Sequence, residues 1–341
     1  MLFSFTKTFM TCDLETINRV WYSAVNYHTF YIEDEELVDQ ILLTEWFQKS
    51  SQITREIIRK SFVASINGVK RDPKCIVCLE SSERCYNPIE AEIYLSQPYV
   101  ILLENALNDS SFIMCLLRCF KKQGKLISKA IEDNCLQFGM GGGSTIVDFI
   151  KNKVNSYKNI KHPPKYFLRL FVLVDSDKKY PEESYSKNKL DLINLCEAYD
   201  IPFHILEKRE IENYLPDIGL DELIVDSNRT YISGIKKLNP VQRDFFDFEK
   251  GFNIVNMKHL DANILTFYAD KIENSGDELR KHDFSASDTK FKTKIADIYR
   301  SEMLSREHLL ERCIHHSMNK NESPYNPNEL PDLLVKISNE L

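Results

Sequence analysis

The chain has 341 residues, with 44 basic and 51 acidic side chains giving a formal net charge of −7. At 43% hydrophobic and 28% charged it has the make-up of an ordinary folded protein, which excludes wholesale disorder and leaves room for two or three domains. No run approaches the length of a membrane span, the opening MLFSFTKTFMTCDLE has no secretion-signal pattern, and the nine cysteines are scattered as reduced thiols would be, so a cytoplasmic protein away from membranes is expected.

In chain order, residues 1–96 are expected to form a helical region. LETINRVWYSAVNYHTF and EELVDQILLTEWFQKSSQITREIIRKSFVASI carry apolar residues at three- and four-residue spacing. A less regular patch follows, in which Cys75 and Cys78 form a CxxC with Cys85 seven residues on. No second CxxC or HxxxH lies nearby to complete a zinc site, so ordinary thiols are expected. From residue 97 the texture alternates. YVILLE, NCLQFGM, LRLFVLVD and IPFHILE read as short apolar strands, and NDSSFIMCLLRCFKK, STIVDFIKNKVNSY and SKNKLDLINLCEAYD as the helices between them. That alternation predicts an α/β domain over 97–252 with a Rossmann-like parallel sheet buried on both faces. Residues 253–341 are expected to be helical again, with His315 and His316 as surface or core residues of an amphipathic helix.

The acids fall at informative places. Glu104 closes the first of these strands, Asp175 and Asp177 the third, and Glu210 and Glu212 follow the fourth. In an open parallel sheet the carboxyl ends of the strands share one edge, where ligands bind. Carboxylates converging there repel one another unless cations neutralise them, and hard oxygen donors suit Mg²⁺ or Mn²⁺. A pair of such ions can activate a water and stabilise a leaving oxygen in phosphodiester cleavage. Gly139, Gly141, Gly142 and Gly143 are four of only ten glycines and lie between the second strand and a helix. Gly141, Gly142 and Gly143 can present backbone N–H groups to a phosphate, with Ser144 as N-cap. Between Arg118 and Arg169 stand eleven basic residues against three acidic ones, a stretch able to draw a polyanion to this edge.

The strand ending in Glu104, the glycine-bearing turn after the second strand, and VLVD-S-D with Asp175 and Asp177 together resemble the TOPRIM domain of topoisomerases, primases and OLD-type nucleases. HILEKREIENYLP and QRDFFDFEKGF resemble the OLD-type and related bacterial defence branch, and the similarity covers roughly 97–252. The resemblance implies a metal-dependent nuclease with Glu104, Asp175 and Asp177 as catalytic groups and metal ligands. Glu212 would be a further ligand, two Mg²⁺ or Mn²⁺ ions the cofactors, and Lys250 a contact to substrate phosphate. It also implies a nucleic-acid substrate, DNA ahead of RNA, and an anti-phage effector held in check by a partner protein, an ATPase being one option because no GxxxxGK[ST] occurs in this sequence. Self-association into a homo-oligomer stays open. The chain departs from the family pattern at Asn105, where glycine is usual, and at Asn108, where a second acid is usual; Asp109 comes one residue later. Those departures favour an alternative reading, a catalytically degenerate module that binds nucleic acid or docks on a partner. VLVDSDKK is also similar to the Asp-x-Asp of haloacid-dehalogenase-like phosphatases. Lys179 stands where those carry Thr or Val, and their motif lies on the first strand.

Overall fold

A computed structural model describes residues 1–68, 72–82, 85–142, 145–251, 261–271, 291–314 and 326–341. His315 and His316 lie outside the described residues. The protein is α/β, built on two four-stranded parallel sheets. The second carries the expected strands: β5 (Tyr99–Leu103), β6 (Leu136–Met140), β7 (Leu170–Val174) and β8 (Phe203–Ile205), in the order β6-β5-β7-β8. Helices α6 (Ala106–Cys119) and α7 (Lys121–Glu132) join β5 to β6, α8 (Thr145–Ser156) lies between β6 and β7, and α9 (Lys187–Ala198) between β7 and β8.

Alternation along β5 sorts these helices onto opposite faces. Tyr99, Ile101 and Leu103 pack with Phe112, Leu116 and Ile127 of α6 and α7, whereas Val100 and Leu102 pack with Ile146 and Ile150 of α8 and Leu192 of α9. The chain therefore leaves β5 on one face and β7 on the other. These neighbouring strands flank the point where the winding reverses, and a crevice opens there at their carboxyl ends.

The N-terminal expectation needs correction. Residues 1–96 contain helices, among them α1 (Leu14–Ala24), α2 (Glu35–Leu43), α3 (Glu45–Lys49), α4 (Gln52–Asn67) and α5 (Pro88–Leu95), but they surround a parallel sheet. Its strands are β1 (Leu2–Phe5), β2 (Thr29–Phe30), β3 (Cys75–Val77) and β4 (Cys85–Tyr86), in the order β2-β1-β3-β4. Strands of two to four residues are too short to print a period of two, so helical spacing dominates the reading. Burial of aromatic area compensates for the small sheet: Phe3, Phe5, Phe9, Trp21, Phe30 and Trp46 form one core, with the Phe5 and Phe9 ring centroids 4.6 Å apart. Cys75 is buried in that core. The thiol of Cys78 is pushed up to about 12 by burial and by its thiol neighbour Cys85.

The C-terminal segments cover the α6 face of the second sheet. Ile295 and Tyr299 of the helix Phe291–Arg300 and Leu330, Leu333, Leu334 and Ile337 of the helix Glu329–Glu340 share one core with β5, α6 and α7. Among the described residues, no helix is long and apolar enough to cross a membrane.

The basic stretch does not form one trough, because the fold divides it. Lys121, Lys122, Lys125 and Lys129 lie on α7, and Lys151 and Lys153 on α8, across the sheet. Arg169 is buried, donating to the Gln97 carbonyl at 2.6 Å and standing 3.2 Å from His28 Nε2, which ties the two sheets together. Arg118 donates to the Tyr299 and Arg300 carbonyls at 3.2 Å, a cation satisfying the last turn of a helix.

Candidate functional site

The crevice between β5 and β7 gathers the predicted acids. In the parallel register Leu102 pairs with Val172, so Glu104, two residues on, comes level with Val174 and next to Asp175. Past β7 the chain stays locked to the segment after β8: Leu206 N–H donates to Val174 O, Ser176 Oγ to Lys208 O at 2.7 Å, and Asp177 N–H to Arg209 O at 3.0 Å. Asp177 takes a left-handed backbone (φ 58°), a conformation Asp tolerates better than most residues.

Glu210 and Glu212 sit at a 3₁₀ turn (Ile211–Tyr214) held by buried hydrogen bonds. Asn213 Nδ2 donates to the Arg243 and Phe246 carbonyls at 2.8 and 2.9 Å, and the Asn213 carbonyl accepts from Arg312 Nη2 at 2.9 Å. Below it the Lys208 ammonium, fully buried, contacts Asp244 and the Arg312 carbonyl.

Two ammonium groups link the acids. Lys189 Nζ of α9, almost fully buried, lies 2.9 Å from Glu104 Oε1 and 3.0 Å from Asp177 Oδ2, so those two oxygens are no farther apart than the two lengths laid end to end. Burial alone would lower its pKa, but Glu104 and Asp177 outweigh burial and raise it. Lys292 Nζ, from the helix Phe291–Arg300, lies 3.5 Å from both Glu210 and Glu212 and 3.9 Å from Glu249, and the acids around it likewise hold it charged against burial.

Six carboxylates from three segments (Glu104, Asp109, Asp175, Asp177, Glu210, Glu212) thus share two lysines, with Arg209 also on Glu210 at 3.2 Å. Burial and the excess negative charge together raise three of them, Asp175, Glu212 and Asp109. Burial, then the charges of Glu104, Glu212, Asp109 and Glu210, pushes Asp175 well above the carboxylate range. Burial pushes Glu212 to about 7, with Glu210 and Asp109 adding to the rise and Lys292 opposing it. Asp109 is pushed to about 6, mainly by burial, although it accepts a 2.8 Å hydrogen bond from the Asn105 N–H. Asp109, one position off the family's pattern, is therefore inside the cluster all the same. Glu212 Oε2 is buried without a hydrogen-bond partner.

The glycine turn abuts this cluster. A Cβ on Gly141 would stand 2.9 Å from Ile146 Cα, and one on Gly142 3.6 Å from the Glu104 carbonyl, so the turn needs glycine at 141 for close approach. The Gly141 N–H already donates to Leu103 O at 2.9 Å, which removes it from the expected phosphate nest. Gly143 and Ser144 lie outside the described residues. Lys250 is exposed, its Nζ 3.9 Å from Asp247, and it reaches none of the six acids; its neighbour Glu249 is the residue that meets Lys292.

Lys189 and Lys292 escaped the sequence reading. Lys189 lies in a stretch of alternating Lys and Asn on a helix, and Lys292 some 80 residues beyond Glu212, with nothing in either context to mark a buried ammonium.

The raised carboxyls carry a stability consequence. A carboxyl whose folded pKa is raised favours the fold while protonated, and that contribution is lost as pH rises from its ordinary value toward the folded one. For Glu212 the window runs from the ordinary 4.5 to about 7, so at pH 8 its charge costs about 3 kcal/mol. Glu212→Gln is expected to raise the melting temperature at pH 8 in EDTA by a few degrees and to change it little near pH 5. Thermal melts at both pH values check this; equal melting points at pH 8 would remove the argument.

No family model, curated protein or solved structure matches this chain.

Proposed function

We propose that the chain is a divalent-metal-dependent nuclease that hydrolyses nucleic-acid phosphodiesters. One observation carries the reading: six carboxylates from three chain segments meet at the reversal point of a parallel sheet, short of positive charge.

The donor set suits hard divalent cations in chemistry, with carboxylate oxygens alone, a raised Asp175 and an unpartnered buried Glu212 oxygen. Among the described residues no group of three His, Cys, Asp or Glu side chains is yet closed around an ion position, and the ammoniums of Lys189 and Lys292 stand between the acids instead. Glu104, Asp175, Asp177 and Glu212 would hold Mg²⁺ or Mn²⁺, which when bound supply polarisation of a phosphate oxygen and an acidified water. The chain's own groups do the rest. Glu104, partly exposed at the crevice, is placed to exchange a proton with the attacking water or leaving oxygen, and Lys189 supplies a fixed positive charge beside it. The resemblance extends this reading to an anti-phage effector on DNA ahead of RNA, controlled by a partner such as an ATPase.

A second reading, a degenerate docking or nucleic-acid-binding module, is favoured by the same two lysines, which neutralise part of the cluster without a metal. Purified protein incubated with supercoiled plasmid and with labelled DNA and RNA, in Mg²⁺ or Mn²⁺, separates the two. Nicking that EDTA abolishes supports the nuclease. Absence of cleavage in every arm, together with absence of Mn²⁺ binding by electron paramagnetic resonance, supports the docking module.

A further inference from the structure

We infer that the groove between α8 and α9 is a subsite for one unpaired nucleotide of the substrate strand, so that the protein acts on single-stranded or locally opened nucleic acid. The inference rests on the nuclease reading and adds the class of substrate.

The groove encloses about 570 Å³, within the range of pockets that hold a ligand of nucleotide size. Its lining takes in Glu104, Asp177 and Lys189 of the candidate site, so an occupant of the groove is next to the carboxylates. Its floor is apolar, from Val147 of α8 and Leu192 and Leu195 of α9. Its rim carries Lys151, Asn188 and Asn194, whose side chains bond to no described residue, in contrast to the paired lysines elsewhere on this domain, such as Lys129 with Asp133 and Lys165 with Asp200.

That division matches a nucleotide. A base needs an apolar slot for its faces and amides for its edge, the role Asn plays in reading bases, and Lys151 supplies a cation for a flanking phosphate. Asp191, exposed, also lines the groove and disfavours a phosphate beside it, which leaves the phosphodiester to the end that carries Glu104, Asp177 and any bound cations. A base stacked inside a duplex cannot enter such a slot without leaving its stack, at a cost of a few kcal/mol. The same nucleotide chemistry could come from a free mononucleotide acting as an effector, and the test separates the two.

The full-length protein is titrated, in Ca²⁺ and by fluorescence anisotropy, with a labelled single-stranded oligonucleotide and with the duplex of the same sequence, and unlabelled 5′-mononucleotide is used as competitor. Mn²⁺ binding is followed separately by electron paramagnetic resonance. The single strand is expected to bind at least tenfold tighter than the duplex. Ala198→Trp, which fills the groove from the exposed last residue of α9, and Lys151→Glu are each expected to weaken single-strand binding at least fivefold, with Mn²⁺ binding and the melting temperature as in the parent. Equal affinity for single strand and duplex, no binding of either, or an Ala198→Trp variant that binds as the parent does would overturn the subsite. So would a mononucleotide that displaces nothing from the single strand yet binds the groove. Loss of the groove effect with Mn²⁺ binding intact counts against this inference alone, whereas failure to bind Mn²⁺ counts against the nuclease reading.

Discussion

Glu104→Ala is expected to lower cleavage in Mn²⁺ by on the order of a thousandfold while leaving the melting temperature close to that of the parent. Glu104 meets Lys189 directly and adds its charge to the buried acids beside it. It shares Lys189 with Asp177, and its charge is felt by Asp175 and Asp109. Removing it takes one carboxylate from the set that would hold a cation and leaves Lys189 with a single acid. The fold loses little, since the Glu104 side chain lies past the end of β5, is partly exposed, and has Lys189 as its hydrogen-bond partner. A matching variant removes the other side of the crevice. Asp177 has a left-handed backbone, where alanine costs about 1 kcal/mol, so Asp175→Ala combined with Asp177→Asn is cleaner than a double alanine. It too should abolish cleavage, and loss of the crowded Asp175 charge should leave the fold no less stable at neutral pH. A variant of either kind that cuts at the parental rate would refute the assignment of these acids.

How far the sequence discloses this arrangement depends on the scale of each signal. Strands β5 and β7 are runs of five buried apolar residues, and a run of that length between helical patterns is readable. Because parallel strands end on one edge, reading the strands correctly also placed Glu104, Asp175, Asp177, Glu210 and Glu212 at one crevice. The first sheet was not legible, since a strand such as Thr29–Phe30 has too few residues to show alternation and is recognised only once its neighbours are paired. Charge was legible as composition but not as geometry. The basic residues from 118 to 169 fall in one stretch of sequence, yet α7 and α8 lie on opposite faces of the sheet, and Arg169 became a buried bridge to His28 and Gln97. The two lysines that hold the acids were invisible for the same reason. Nothing local distinguishes a lysine that will be buried against carboxylates from one on a solvated helix. The one-residue displacement of Asp109 left its role open in a linear pattern; the fold keeps it in the cluster, its carboxylate turned back to the Asn105 N–H at the head of α6.

Asp244→Ala is expected to destabilise the protein by about 3–5 kcal/mol, the cost of leaving buried charge uncompensated. Asp244 is fully buried and its Oδ1 lies 2.5 Å from Lys208 Nζ and 2.6 Å from Arg312 Nη2, both themselves buried. Burial, and then the charge of Arg312, lowers Lys208 to about 8, with Asp244 holding it from falling farther. Without that acid two cations face each other in a site closed to water. Lys208 then sheds its proton at a lower pH than in the parent, so the loss should be largest under mildly acidic conditions and shrink as the pH is raised toward 8. The effect should reach the candidate site as well, because Lys208 and Arg312 both donate to the Asn213 carbonyl in the turn that carries Glu210 and Glu212. Metal binding should therefore weaken in this variant even at temperatures where it stays folded. Denaturant titrations of parent and variant at pH 6 and pH 8, with Mn²⁺ binding measured on the same samples, provide the check. A loss below about 1 kcal/mol at pH 6, the range of an exposed ion pair, would mean that this buried pair does not hold the turn in place.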